Sequence, residues 1–205
     1  MSPLRLGAED RERYHRQILL PDWGERAQRR LAASTVFIAG AGGLGSPVAL
    51  YLAAAGVGTL RICDSGRVEL SNLNRQILYG QADIGRPKPP SAVDRLAGLD
   101  SGVQVVALTG TITRDTIRGL VGDASLIVDC LDNFEARFVI NEFALGSGVP
   151  FVHAGVQGLC GQIGFFNPPQ TPCLACLVRE AQAAPEDPAA PEDPAAPEDP
   201  APPAP

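Results

Sequence analysis

The chain has 205 residues, 45% of them hydrophobic, with 17 basic and 23 acidic side chains and a formal net charge of −6. Three Glu-Asp pairs near the end supply much of that excess; the rest is close to neutral, which argues against nucleic acid as a partner. No apolar run approaches the roughly 18 to 20 residues of a membrane span, and the N-terminal MSPLRLGAEDRERYHRQ lacks a signal-like apolar block, so a cytoplasmic protein without a membrane partner is expected.

Residues 8–33 carry apolar positions at helical spacing among many charges, interrupted near Pro21-Asp22. They predict two short surface helices, and residues 1–34 read as an arm ahead of the main domain. TVFIAG (35–40) is the first strand, running through a glycine-rich turn into SPVALYLAAAG, a helix that ends at Gly56. TLRICD (59–64), VQVVALTG (103–110), SLIVDCLD (125–132) and VPFVHAG (149–155) supply four more strands, with helical stretches between most of them. Strands alternating with helices predict an α/β, Rossmann-like, doubly wound and mostly parallel sheet with helices on both faces, spanning 35–178. Residues 179–205 are built on an AAPEDP repeat with nothing large to bury and predict a disordered acidic tail.

Gly40-Ala41-Gly42-Gly43-Leu44-Gly45 fits G-x-G-x-x-G between a strand and a helix, where glycines let the backbone approach a phosphate and helix-start N–H groups face the anion. Asp64 closes the second strand, where a carboxylate can accept hydrogen bonds from ribose hydroxyls. Together they point to an adenosine nucleotide without separating NAD from ATP. The discriminating groups follow in SNLNRQ (71–76) and GRPK (85–88), because a triphosphate of charge about −4 needs positioned cations such as Arg75 and Lys88, and usually Mg²⁺. Asp132, in DCLDN at the end of the fourth strand, is the Mg²⁺ candidate. Pro89 and Pro90 follow Lys88 where a helix should begin, and two prolines together are expected to shift it.

The two histidines, His15 and His153, read as structural. Cys63, Cys130 and Cys160 lie in or beside apolar strand-like runs, where a free thiol behaves as a small hydrophobe, and an odd total of five cysteines argues against a disulfide framework. Cys173 and Cys176 form half of a tetrahedral Zn²⁺ site. Three readings of that pair stand: zinc completed by another chain or by Cys160 and water, a redox-active pair, or an idle one. No cysteine is placed as a transfer nucleophile.

RYHRQ, GAGGLGS, the strand-ending Asp64, SNLNRQ, GRPK, DCLDN and PCLAC occur in the order found in the ThiF/MoeB/HesA family, which residues 10–178 resemble. The resemblance implies transfer of AMP from ATP to the C-terminal Gly-Gly carboxylate of a small ubiquitin-like sulfur-carrier protein, with release of pyrophosphate. Under it, Asp64 holds the ribose, Asn72, Arg75 and Lys88 contact phosphates, and Asp132 coordinates Mg²⁺. Ser71, Gln76 and Asn133 join Gly40, Gly42, Gly43 and Gly45 around the nucleotide, and Arg16 acts from the partner subunit of a homodimer. The family supplies a second C-x-x-C further on, where this chain enters its repeat, so a truncated nucleotide- or partner-binding relative is the alternative. An NAD-dependent oxidoreductase ranks below it, since little foldable chain remains after residue 155 for a substrate domain. The carrier pathway, molybdopterin or thiamine among others, is not specified.

Overall fold

In β1 (Thr35–Ala39), Val36 and Ile38 belong to one buried apolar cluster and Phe37 and Ala39 to another. A strand buried on both faces needs cover on both, which is the condition of a doubly wound sheet. A computed structural model describes residues 6–99 and 102–183 and shows that arrangement; the expected repeat tail, from residue 184 onward, lies outside the described residues.

The strands β1, β2 (Thr59–Asp64), β3 (Gln104–Thr109), β4 (Leu126–Asp129), β5 (Phe151–Gln157) and β6 (Cys160–Phe166) form one sheet in the order β3-β2-β1-β4-β5-β6. All neighbouring pairs are parallel except β5 with β6. Helices α4 (Gly45–Ala55) and α5 (Lys88–Ala97) contribute Ala49, Ala53, Ala92 and Leu96 to the cluster containing Ile38. Helices α6 (Ile117–Val121) and α7 (Phe134–Ser147) contribute Val121 and Ile140 to the cluster containing Phe37, which α8 (Leu174–Ala183) joins through Leu174. The chain builds outward from β1 to β3 and then restarts at β4, so the strand order reverses between β1 and β4. The carboxyl ends of those two strands open the crevice where such sheets bind ligands.

Several features differ from the sequence expectation. A sixth strand follows the fifth, since Gly158, at φ +56°, turns the chain back and Phe166 stacks on Phe151 at 4.7 Å. Cys160 begins that strand exposed, not as a buried small hydrophobe. Lys88 opens α5 with Pro89 and Pro90 behind it in the first turn, where a missing N–H costs no intrahelical bond, so the helix accommodates both prolines. The last helix also runs to Ala183, past the boundary expected at residue 178.

The arm holds three helices, not two: α1 (Ala8–Arg13), α2 (His15–Ile18) and α3 (Gly24–Ala32). It is clamped to the carboxyl end of α4 by Gln28, which is fully buried. Gln28 Nε2 donates to the Ala55 carbonyl at 2.9 Å, while its Oε1 accepts from Gln17 Nε2 at 3.1 Å and from Trp23 Nε1 at 3.2 Å. Tyr14 packs on Gly56 so closely that a Cβ there would lie 2.6 Å from the ring. The arm therefore packs on its own chain, at the end of α4 opposite the glycine turn.

Candidate active site

The glycine turn is fixed by sterics before any ligand is considered. Gly40 sits at φ +92°, and a Cβ at Gly45 would fall 2.0 Å from the Gly40 carbonyl oxygen, so α4 can leave β1 at this angle only with glycine at both positions. No side chain caps the start of α4, which leaves its N–H groups to a bound anion. Asp64 stitches the turn to the end of β2: Oδ2 accepts from Ala41 N–H at 2.8 Å and Oδ1 from Gly66 N–H at 2.7 Å. Tyr79 adds a third tie by donating its hydroxyl to the Ala41 carbonyl at 2.9 Å, and burial raises that phenol above its ordinary value.

A cavity of about 1110 Å³ opens on this turn, and most of the residues read from the sequence line it: Gly40, Gly42, Gly43, Asp64, Arg75, Gln76, Lys88, Asp132 and Asn133. Arg75 lies across Gly43, its Cδ 3.4 Å from where a Cβ would stand, while Nη1 donates to the Ser71 carbonyl at 3.1 Å. Lys88 Nζ and Asp64 Oδ1 converge on Gly66, whose missing side chain leaves room between them. Gln76 is 4% exposed, and its Oε1 has no hydrogen-bond partner. A buried acceptor left unsatisfied costs about 1–3 kcal/mol, so this oxygen suits a donor supplied by a ligand.

Other candidate residues stand elsewhere. Ser71 and Asn72 do not line the cavity; Asn72 Oδ1 accepts from Glu69 N–H at 3.3 Å and shapes the turn that presents Arg75. Asn133 lines it but also caps α7, accepting from Ala136 N–H at 2.9 Å. Gly45 is a packing residue behind the turn. Arg16 is exposed on α2, in the arm at the far end of α4, and does not line the cavity. Asp132 lies in the loop three residues beyond β4; the carboxylate at the strand's end is Asp129.

Asp129 anchors a buried network that the sequence did not reveal. It is fully buried; Oδ2 lies 2.7 Å from His153 Nδ1, and Oδ1 accepts from Leu131 N–H at 3.0 Å. Arg137, from α7 and 7% exposed, lies with Nε 3.8 Å from Asp129 and donates through Nη2 to the Leu131 carbonyl. Both polar groups of Leu131 are thus held, so the loop carrying Asp132 is tied to α7 and β5. His153 is committed to this network, in keeping with a structural histidine.

Five cysteines divide by environment. Cys63 and Cys130 also line the cavity but are buried: burial, with Asp64 and Asp129 nearby, pushes their thiols up to about 11 and about 12. Cys173 and Cys176 face each other at 3.4 Å. Partial burial opposes the charged form of Cys173, but hydrogen bonds from Cys176 and Asn141 outweigh it and hold that thiol below its ordinary value. Among the described residues no group of three or more metal-ligating side chains exists, so Cys160 does not complete a zinc site with this pair and a tetrahedral Zn²⁺ does not fit what is described. At about pH 8 a thiol reagent is expected to modify Cys160, Cys173 and Cys176 in the native protein and to reach Cys63 and Cys130 only after unfolding, because the buried pair forms no thiolate that far below its raised values. Peptide mapping by mass spectrometry checks this; prompt native labelling of either buried thiol contradicts the assignment.

Among the described residues no helix is long and apolar enough to cross a membrane. The sequence model of the ThiF family matches residues 14–196. The chain is 40% identical over 179 residues to the sulfur carrier protein adenylyltransferase of Thermus thermophilus, covering 85% of this chain and 66% of that protein. It is 43% identical over 166 residues to the sulfur carrier protein ThiS adenylyltransferase of Escherichia coli, covering 80% of this chain and 66% of that one. It thus spans about two thirds of the length of these relatives. The solved structure of Escherichia coli MccB with ATP superposes with a TM-score of 0.69 at 28% identity, covering 73% of this chain and 45% of that one.

Proposed function

This chain belongs to the ThiF family, and on that premise we propose that it adenylates the C-terminal Gly-Gly carboxylate of a small ubiquitin-like sulfur-carrier protein with ATP, releasing pyrophosphate. The observation that carries this reading is the convergence of the glycine turn, Asp64, Arg75, Gln76, Lys88 and Asp132 on one cavity at the carboxyl ends of β1, β2 and β4. A cavity of about 1110 Å³ slightly exceeds the roughly 300–1,000 Å³ usual for a small ligand, which suits a nucleotide together with the end of a second reactant.

In this reading the uncapped N–H groups of α4 and the Gly42–Gly43 backbone hold phosphate oxygens, while Asp64, each oxygen keeping an unused lone pair, accepts from the ribose. Arg75 and Lys88 offset the triphosphate's charge, and Asp132 holds a magnesium ion, which neutralises phosphate charge when bound. The carrier's carboxylate is already ionised and pyrophosphate leaves without prior protonation, so the step needs positioned charge more than a general acid or base. That fits a site whose histidine is buried against Asp129. Arg16, remote from its own cavity, serves the cavity of a second copy in a homodimer, and the enzyme works in the cytoplasm. Zinc has no part in the proposal.

The test is ATP–pyrophosphate exchange by the purified full chain with Mg²⁺ and a panel of Gly-Gly-ended carriers. Exchange that depends on one carrier is expected and names its pathway. ATP binding without exchange for any carrier rejects adenylation and leaves a nucleotide-binding relative.

A further inference from the structure

Along the β5–β6 hairpin, side chains alternate between faces. His153 and Gly155 share one face with their cross-strand partners Gly164 and Gln162. Gln162 lies flat across Gly155, its Cγ 3.3 Å and its Nε2 3.0 Å from where a Cβ would stand, and its Nε2 ends 3.4 Å from His153 Nε2. The missing side chain at Gly155 is what lets it reach the imidazole. Gly155, Gly161 and Gln162 line the same cavity as the glycine turn and Asp132.

The buried network beneath fixes which way that amide points. Asp129 accepts from Leu131 N–H and lies beside the Arg137 guanidinium, so it meets His153 Nδ1 as an acceptor. His153 therefore carries its proton on Nδ1 and turns the lone pair of Nε2 toward Gln162. Only the amide nitrogen complements that lone pair; an amide oxygen in its place would set two acceptors face to face. With Nε2 donating to the imidazole, Oε1 is the atom that Gln162 offers the cavity. An unheld glutamine presents either end of its amide, donor or acceptor; this one is committed to accept.

We propose that Gln162 is a specificity-determining residue: its Oε1 accepts the peptide N–H of the substrate's last residue, and His153 is the positioning residue that turns the amide for that contact. A terminal glycine has no side chain to recognise, so next to the reacting carboxyl selection falls on its backbone N–H. Gly155 and Gly161 leave the wall beside Gln162 open to the approach of a backbone. A carboxylate with no N–H at that position leaves the acceptor unpaired, and a site built to hydrogen-bond a donor rejects the analogue that lacks it. The inference rests on the adenylation reading for its natural substrate, but its test reads binding alone.

A pair of sulfamoyl adenosine probes is titrated into the full chain by calorimetry, one carrying an N-acetylglycyl group and the other an acetoxyacetyl group, in which an ester oxygen replaces the N–H. The parent is expected to bind the amide probe about tenfold more tightly than the ester, the worth of a hydrogen bond whose loss strands its acceptor. Gln162→Met keeps the side chain's length without its amide and is expected to bind both probes alike. Gly155→Ala keeps Gln162 but pushes its amide off His153, and is expected to narrow the ratio to about twofold. A steric block alone would weaken both probes together and leave the ratio intact. Equal affinities in the parent, or a ratio that survives Gln162→Met, overturn the role of Gln162; a full ratio in Gly155→Ala overturns that of His153. Binding of neither probe overturns the proposal as well. Because no turnover is needed, failure of ATP–pyrophosphate exchange beside a clear probe ratio bears on adenylation alone.

Discussion

Lys88→Ala and Asp132→Ala are each expected to lower carrier-dependent ATP–pyrophosphate exchange by about 10²–10³-fold, the usual cost of removing one charge-stabilising group from a transition state. Neither side chain supports the fold. Asp132 is exposed in a loop, with its only described hydrogen bond a 3.5 Å contact from Asn133, and Lys88 is half-buried at the open end of α5, where its backbone N–H, which the substitution keeps, bonds the Gly66 carbonyl. Unfolding free energies should therefore stay within about 0.5 kcal/mol of the parent. In the proposed role Lys88 faces phosphate in substrate and transition state alike, so its loss should raise KM for ATP as well as lower kcat. Exchange at parental rates in either variant, measured with saturating Mg²⁺, would remove that residue from the site.

Asp129→Ala should act the other way, through stability. The carboxylate is fully buried between His153 and Arg137, and deleting it leaves a buried guanidinium and imidazole facing each other with Leu131 N–H unpaired. Breaking a buried pair from one side costs about 3–5 kcal/mol. For a folded unit of this size each kcal/mol shifts Tm by roughly 2–4 °C, so a drop on the order of 10 °C is expected. Asp129→Asn keeps an acceptor for Leu131 and should lose much less. Urea unfolding of both variants decides it: a loss below about 1 kcal/mol for the Ala variant would mean the network is solvated in solution.

The contrast between these two aspartates marks how far sequence reasoning reached. That Asp132, Asp64 and the glycines lie at the cavity was legible because their placement depends on neighbours close in the chain: a strand that stops nearby, a turn that needs glycine, a helix that starts. The strands β1 and β2 were legible as short runs rich in apolar and β-branched residues. Asp129, Arg137, His153 and Tyr79 were not, since each acquires meaning from a partner more than five residues away that only the closed sheet brings near. Strand β6 was missed because CGQIGFF, with two glycines, has weak strand propensity by itself and forms by pairing with β5. The second break in the arm was missed for a related reason. Tyr14 interrupts the helical pattern to pack on Gly56, a contact with no local signature.

Asp64 has a consequence for the thermodynamics of recognition. Its carboxylate already accepts from Ala41 and Gly66, so the loops flanking the candidate nucleotide site are ordered by the protein itself. Freezing a residue's backbone costs about 1–2 kcal/mol, and here that entropy is lost during folding, once, not at each encounter with ligand. Any ligand that uses this turn then binds without paying that entropy, so more of its contact energy appears as affinity.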